Sequence, residues 1–177
     1  MTDKKGKLKR GYIQVYTGNG KGKSTAALGL ALRAVGRGMQ VIFIQFLKGE
    51  PSGEHFFVEQ YKCFEIIRPN NGDCFRQSDT ELRPVTGETL AIARDSLTNG
   101  KYDLVILDEI FAALGRNLLT TGQVIELMEN KPDDVELVMT GREAPQEVIQ
   151  RADLVTEMSA AKHYYDKGVK LRRGIEY

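Results

Sequence analysis

The sequence predicts an α/β fold of three layers with a mostly parallel central sheet. Three observations predict it. Short apolar runs rich in β-branched residues recur along the 177-residue chain, and helical spacings fill the stretches between them. One run, "YDLVILDE", is almost continuous in hydrophobicity, as a strand covered on both faces must be.

Taken in order, residues 1–10 are polar and basic and read as a flexible arm, leaving 11–177 as one domain. "YIQVYT" (Tyr12 to Thr17) is a short buried strand. After a run of glycines, Ala27, Leu28, Ala31, Leu32 and Val35 mark one face of a helix that starts near Ser24 and ends at Gly36 and Gly38. "QVIFIQF" is a second strand. "KGEPSGEHFFVEQ" reads as a loop entering a short helix, and "FEIIR" as a further strand. Pro69 to Pro84 has the Pro/Asn/Gly/Asp make-up of a long loop of the kind that carries function. Leu90, Ala93 and Leu97 then set a helix that Asn99-Gly100 stops. After the "YDLVILDE" strand, Thr121 is a candidate cap for a helix burying Val124, Leu127 and Met128, closed by Pro132. "ELVMTG" is a strand, Pro145 opens a helix, and "LVTEM" is the last strand.

Composition narrows the function classes. Hydrophobic residues form 41% of the chain and charged residues 28%, which suits a globular domain with a real core. A formal net charge of +1 argues against general affinity for nucleic acid or membrane surfaces. No apolar run approaches a membrane span, and the basic N-terminus lacks the apolar core of a secretory signal. Two cysteines, Cys63 and Cys74, make neither a disulfide framework nor a zinc set, so a reducing, cytoplasmic setting is expected.

The chemistry concentrates in "TGNGKGKST", which lies between the first strand and the first helix. A helix N-terminus offers unpaired N–H groups and partial positive charge, and glycines let the backbone wrap phosphate oxygens. Gly18, Asn19, Gly20, Lys21, Gly22, Lys23, Ser24 and Thr25 are the candidate phosphate binders. Lys23 would reach the phosphates and Ser24 would offer a hydroxyl to Mg²⁺. The pattern departs from G-x-x-x-x-G-K-[ST] in having Thr17 where glycine is standard, followed by Gly18. Asp108 and Glu109 end the "LVILDE" strand and are the candidate acidic metal ligands; spacing leaves open which of them touches the ion. Arg33, about two and a half turns into the helix, and Arg142, just beyond a strand end, are candidate neutralisers of phosphate charge. These features define a three-layer P-loop NTPase-like (RecA-like) fold. No Ser/His/Asp set appears, and the only histidines are His55 and His163.

"YTGNGKGKST", "RAVGRG", "QFLKG", "LDE", "TGR" and the tail "KHYYDKGVKLRRGIEY" together resemble the P-loop type corrinoid adenosyltransferase family, over about residues 11 to 177. The Thr17-Gly18 start also resembles that family. The resemblance implies transfer of the 5′-deoxyadenosyl group of ATP to a Co(I) corrinoid, with tripolyphosphate leaving. It implies ATP as co-substrate, Mg²⁺ or Mn²⁺ as metal, and a cobalamin, cobyrinic or cobinamide derivative as acceptor. A reductase or flavodoxin supplying Co(I) and a homodimer are further expectations from it. Lys23, Glu109 and Phe75 are the catalytic candidates, Ser24, Glu109 and Asp108 the metal set. Phe75, the only aromatic of "NNGDCFRQSD", would shield a face of cobalt, against the alternative of a loop anchor packed on the core. His163 is expected to make a contact between tail and domain. The rival readings are a P-loop kinase or NTPase of RecA-like architecture, and a non-catalytic nucleotide switch or corrinoid carrier.

Overall fold

The computed structural model describes residues 8–177; the greater part of the expected arm, residues 1–7, lies outside them. Six strands form one sheet: β1 (Ile13–Thr17), β2 (Val41–Gln45), β3 (Glu65–Ile67), β4 (Leu104–Asp108), β5 (Glu136–Thr140) and β6 (Leu154–Glu157). Their order is β3-β2-β4-β5-β1-β6, and every recorded pairing is parallel. The helices are α1 (Lys23–Val35), α2 (Gly53–Tyr61), α3 (Asp79–Thr98), α4 (Ile110–Gly115), α5 (Thr121–Glu129) and α6 (Gln146–Arg151), followed by a 3-10 turn at Tyr164–Lys167.

The period of two along the central strands sorts side chains into two cores. Val41, Phe43, Leu104, Ile106 and Val138 face α1, which meets them with Ala27, Ala31 and Ala34. Ile42, Ile44, Val105, Leu107, Leu137 and Met139 face the opposite core, filled by Leu82, Leu90, Ala93 and Leu97 of α3 and Val124, Leu127 and Met128 of α5. Both faces are thus covered, as the continuous hydrophobicity of β4 requires. The alanines let α1 lie close to the sheet; Leu32, expected on the buried face, is instead 60% exposed.

Three boundaries differ from expectation for identifiable reasons. α3 begins at Asp79, inside the stretch read as loop, because Ser78 and Glu81 form a reciprocal capping box. Pro84 sits in its second turn, where the helix gives up one backbone bond. Thr120, not Thr121, caps α5, its hydroxyl accepting from Gln123 N at 3.2 Å. Pro145 is the N-cap residue of α6 rather than its first helical residue.

Parallel pairing carries the carboxyl ends of β1, β4 and β5 to one edge of the sheet. The glycine loop follows β1 there, and Asp108-Glu109 ends β4 beside it.

Candidate phosphate and metal site

The phosphate loop is built around Met158, just past β6. Gly20 N donates to Met158 O at 2.6 Å. A Cβ on Gly18 or Gly20 would stand 2.6 Å from the same oxygen, so both positions require glycine. Gly18 adopts φ +96, taking the left-handed role that the motif usually gives to an earlier residue. Thr17 has its own structural work: its hydroxyl accepts from Ala144 N at 3.1 Å, tying β1 to the segment after β5.

Gly22, at φ 119, turns the chain into α1. Lys23 is buried, and its ammonium donates to Gly18 O at 2.6 Å and Gly20 O at 2.9 Å. Burial lowers its pKa, with Arg142 acting in the same direction, while Glu109 and Asp108 oppose the shift. The backbone N–H groups of Lys21, Gly22, Lys23, Ser24 and Thr25 donate to no acceptor among the described residues. Five backbone donors, a lysine and the positive end of α1 therefore gather in one short loop, which suits a polyanion.

Asp108 and Glu109 separate in role. Asp108 is 1% exposed, and both carboxylate oxygens are engaged: Oδ1 accepts from Thr140 Oγ1 at 2.7 Å, Oδ2 from Gln45 Nε2 at 3.1 Å. Thr140 Oγ1 in turn accepts from Glu109 N at 3.0 Å. Glu109 has φ 58, a left-handed conformation that turns its side chain out of the strand's path. That carboxylate accepts no hydrogen bond from the described residues. Its pKa is raised, first by burial and then by Asp108, with Lys23, Arg142 and Lys48 pulling it back. A half-buried, free carboxylate facing cations fits a hard divalent metal, as does the Ser24 hydroxyl. No group of three or more His, Cys, Asp or Glu among the described residues could hold a metal alone. Such a sparse donor set fits an ion that shares phosphate oxygens and water with its protein ligands.

The remaining candidates divide. Arg142 is close enough to act electrostatically on Lys23 and Glu109. Arg33 is not brought to the site. It lies about 15 Å along α1 from Lys23, in the exposed last turn. The titrating group it influences is Tyr16, whose hydroxyl turns away to Gln14 Oε1. Asn19 and Thr25 are exposed, and Lys21 points to the chain's last residues. Phe75 is 95% exposed, so it is no anchor packed on the core. Arg116 holds its loop from below, donating to Cys74 O at 2.7 Å, Gln77 O at 3.1 Å and Asp79 Oδ1 at 2.9 Å. Buried Asn70 fixes the loop's start through Leu47 O and Gly72 O. His163 Nδ1 accepts from Tyr165 N at 3.1 Å and caps the 3-10 turn.

Sequence reasoning missed Thr140, Gln45, Lys48 and Arg116. Gln45 is 1% exposed and its Oε1 has no partner among the described residues. Its signal was present, a polar residue inside an apolar strand, but only the sheet order shows what it faces.

Fold and site together define a P-loop nucleotide-binding α/β protein. The flagellar accessory protein FlaH from Methanocaldococcus jannaschii shares this fold, with a TM-score of 0.56 and 11% identity, covering 85% of this chain and 72% of that one. The model of the ATP:corrinoid adenosyltransferase BtuR/CobO/CobP family matches residues 9–177, and the chain belongs to that family. Curated relatives agree. The corrinoid adenosyltransferase of Escherichia coli (strain K12) is 37% identical over 172 residues, covering 95% of this chain and 86% of the relative. Corrinoid adenosyltransferase CobA of Salmonella typhimurium is 35% identical over 173 residues, with the same coverage. The Pseudomonas aeruginosa enzyme is 36% identical over 172 residues, covering 95% and 84%.

Proposed function

We propose that this chain transfers the 5′-deoxyadenosyl group of ATP to the Co(I) of a corrinoid. The cobalt electron pair forms the bond to ribose C5′ as the C5′–O bond breaks. The oxygen's pair leaves with tripolyphosphate, and cobalt is formally oxidised to Co(III). The nucleophile arrives with the substrate, so the protein needs no catalytic base. Its task is alignment and stabilisation of the leaving charge.

The observation that carries this reading is the donor-lined loop: unpaired amides and buried Lys23 facing the free carboxylate of Glu109. In this assignment Asn19 to Thr25 bind the triphosphate, with Lys23 reaching the leaving oxygens. Ser24 and Glu109 would hold Mg²⁺ or Mn²⁺, and Asp108, itself held by Gln45, steadies Glu109 from behind through Thr140. The metal would supply charge neutralisation on the departing tripolyphosphate. Arg142 adds long-range positive charge. Phe75, held out by the Arg116-braced loop, shields one face of cobalt.

Incubation with ATP and chemically reduced corrinoid should form a cobalt–carbon bond and release tripolyphosphate. Release of ADP and phosphate alone would instead favour a kinase or NTPase. The finer expectations complete the reading. The acceptor is cobalamin or a cobyrinic or cobinamide derivative, a reductase or flavodoxin supplies Co(I), and the enzyme works as a homodimer. The two free cysteines support a reducing cytoplasm. No helix among the described residues is long and apolar enough to cross a membrane.

A further inference from the structure

The segment after β6 returns to the phosphate loop and grips it at two places. Besides the Met158 contact with Gly20, the final residues converge on Lys21. Its ammonium donates to Glu176 Oε1 at 2.9 Å and to Ile175 O at 3.2 Å. The Glu176 carboxylate also accepts from Arg172 N at 2.7 Å, Arg172 Nη2 at 3.1 Å and the Tyr164 hydroxyl. Arg172 lies over the Tyr164 ring, 4.8 Å from its centroid. Glu176 is nearly enclosed by these partners, its side chain 9% exposed, whereas that of Lys21 remains 40% exposed.

Glu176 thus holds two cations at once, Arg172 through its backbone and guanidinium and Lys21 through its ammonium, and of the two contacts to Oε1 the Lys21 one is the shorter.

We propose that Glu176 is a positioning residue of the nucleotide site: it fixes Lys21 at the rim of the phosphate loop, and a bound triphosphate and the 164–177 segment stabilise each other through that lysine. The proposal deepens the phosphate reading of the loop and rests on it. A free lysine side chain on the surface samples many rotamers, and fixing it beforehand removes that entropy from the binding step.

Isothermal titration with Mg·ATP, and separately with inorganic tripolyphosphate, tests the idea without any corrinoid. Glu176→Gln should weaken both ligands about fivefold, the scale of a held surface charge. In a Lys21→Met background the same substitution should add almost nothing, because Glu176 acts through Lys21. A general loosening of the fold would weaken binding equally in both backgrounds. Unaltered protein supplies an arm free of mutation: tripolyphosphate should slow amide exchange across 164–177. Unchanged or tighter binding by Glu176→Gln, or exchange unchanged or faster on adding tripolyphosphate, would overturn the proposal. If the unaltered protein binds neither ligand, the phosphate reading falls first and this inference with it.

Discussion

Lys23 and Glu109 are two residues of the site whose native surroundings work against their own charge. Each is pushed by burial toward its neutral form, and each is drawn back by the other. Such opposed shifts mark sites that wait for a charged ligand. Lys23→Ala should weaken Mg·ATP binding by about a hundredfold, the loss of a charge-assisted contact in a sheltered site. It should cost about 1–2 kcal/mol of stability in urea titrations, because Gly18 O and Gly20 O lose their donor. Binding left within a few-fold of the native value would remove Lys23 from the phosphate contact. Glu109→Gln should do the opposite to stability. It relieves a half-buried charge beside Asp108, so the ligand-free protein should melt a few degrees higher by calorimetry while metal-dependent ATP binding is lost. The glycines, Lys23 and the acidic pair were legible in the sequence because their chemistry is local to a strand–turn–helix. What separates Asp108 from Glu109 was not. It depends on Thr140 and Gln45, which reach Asp108 from neighbouring strands. Arg33, the eleventh residue of α1, lies away from the loop because a helix carries residues ten positions apart about 15 Å from one another.

At the scale of elements, the loop between β3 and α3 shows how an irregular segment is held. The sequence marked 69–84 as loop and singled out Phe75. It did not reveal that the Ser78–Glu81 capping box starts a helix inside that stretch, since Pro84 masked it. Nor could it show Arg116, whose two bonds to the loop and one to the start of α3 depend on where α4 ends. Arg116 links the helix that follows Glu109 to the loop that carries Phe75, so one side chain joins the two halves of the proposed site. Phe75→Ala should leave the urea midpoint almost unchanged, because the ring is 95% exposed. Turnover starting from Co(II) should fall more than turnover starting from Co(I). Arg116→Met should reproduce that selective loss through loop disorder, seen as faster amide exchange over 73–78. Equal losses from both cobalt states would leave Phe75 without a shielding role.

At the scale of the molecule, the site exists because the sheet order puts β5 between β4 and β1. Residues 17–25 and 108–109, some ninety positions apart, face each other only in that order. Alternating strands and helices predict parallel layers but not which strands are neighbours, so this step was beyond the sequence. The same edge carries an acid-sensitive tie. Lys48, which acts on Glu109, pairs with Glu54 at 2.7 Å and links the end of β2 to α2. Burial alone would raise the Glu54 pKa, but hydrogen bonds from Lys48 and Ser52 outweigh it and hold the carboxyl at about 2. Its folded value lies below the usual 4.5, so between those values the unfolded chain binds more protons than the native one. The stabilisation is therefore present above about pH 4.5 and fades as pH falls toward 2. Glu176, held low chiefly by Arg172 and Tyr164, acts in the same direction. Urea midpoints measured from pH 6 down to pH 2.5 should decline, and Lys48→Met should flatten part of that decline, because without the ammonium Glu54 titrates nearer its unfolded value. A Lys48→Met curve parallel to the native one would show that the Lys48–Glu54 tie contributes nothing to acid sensitivity.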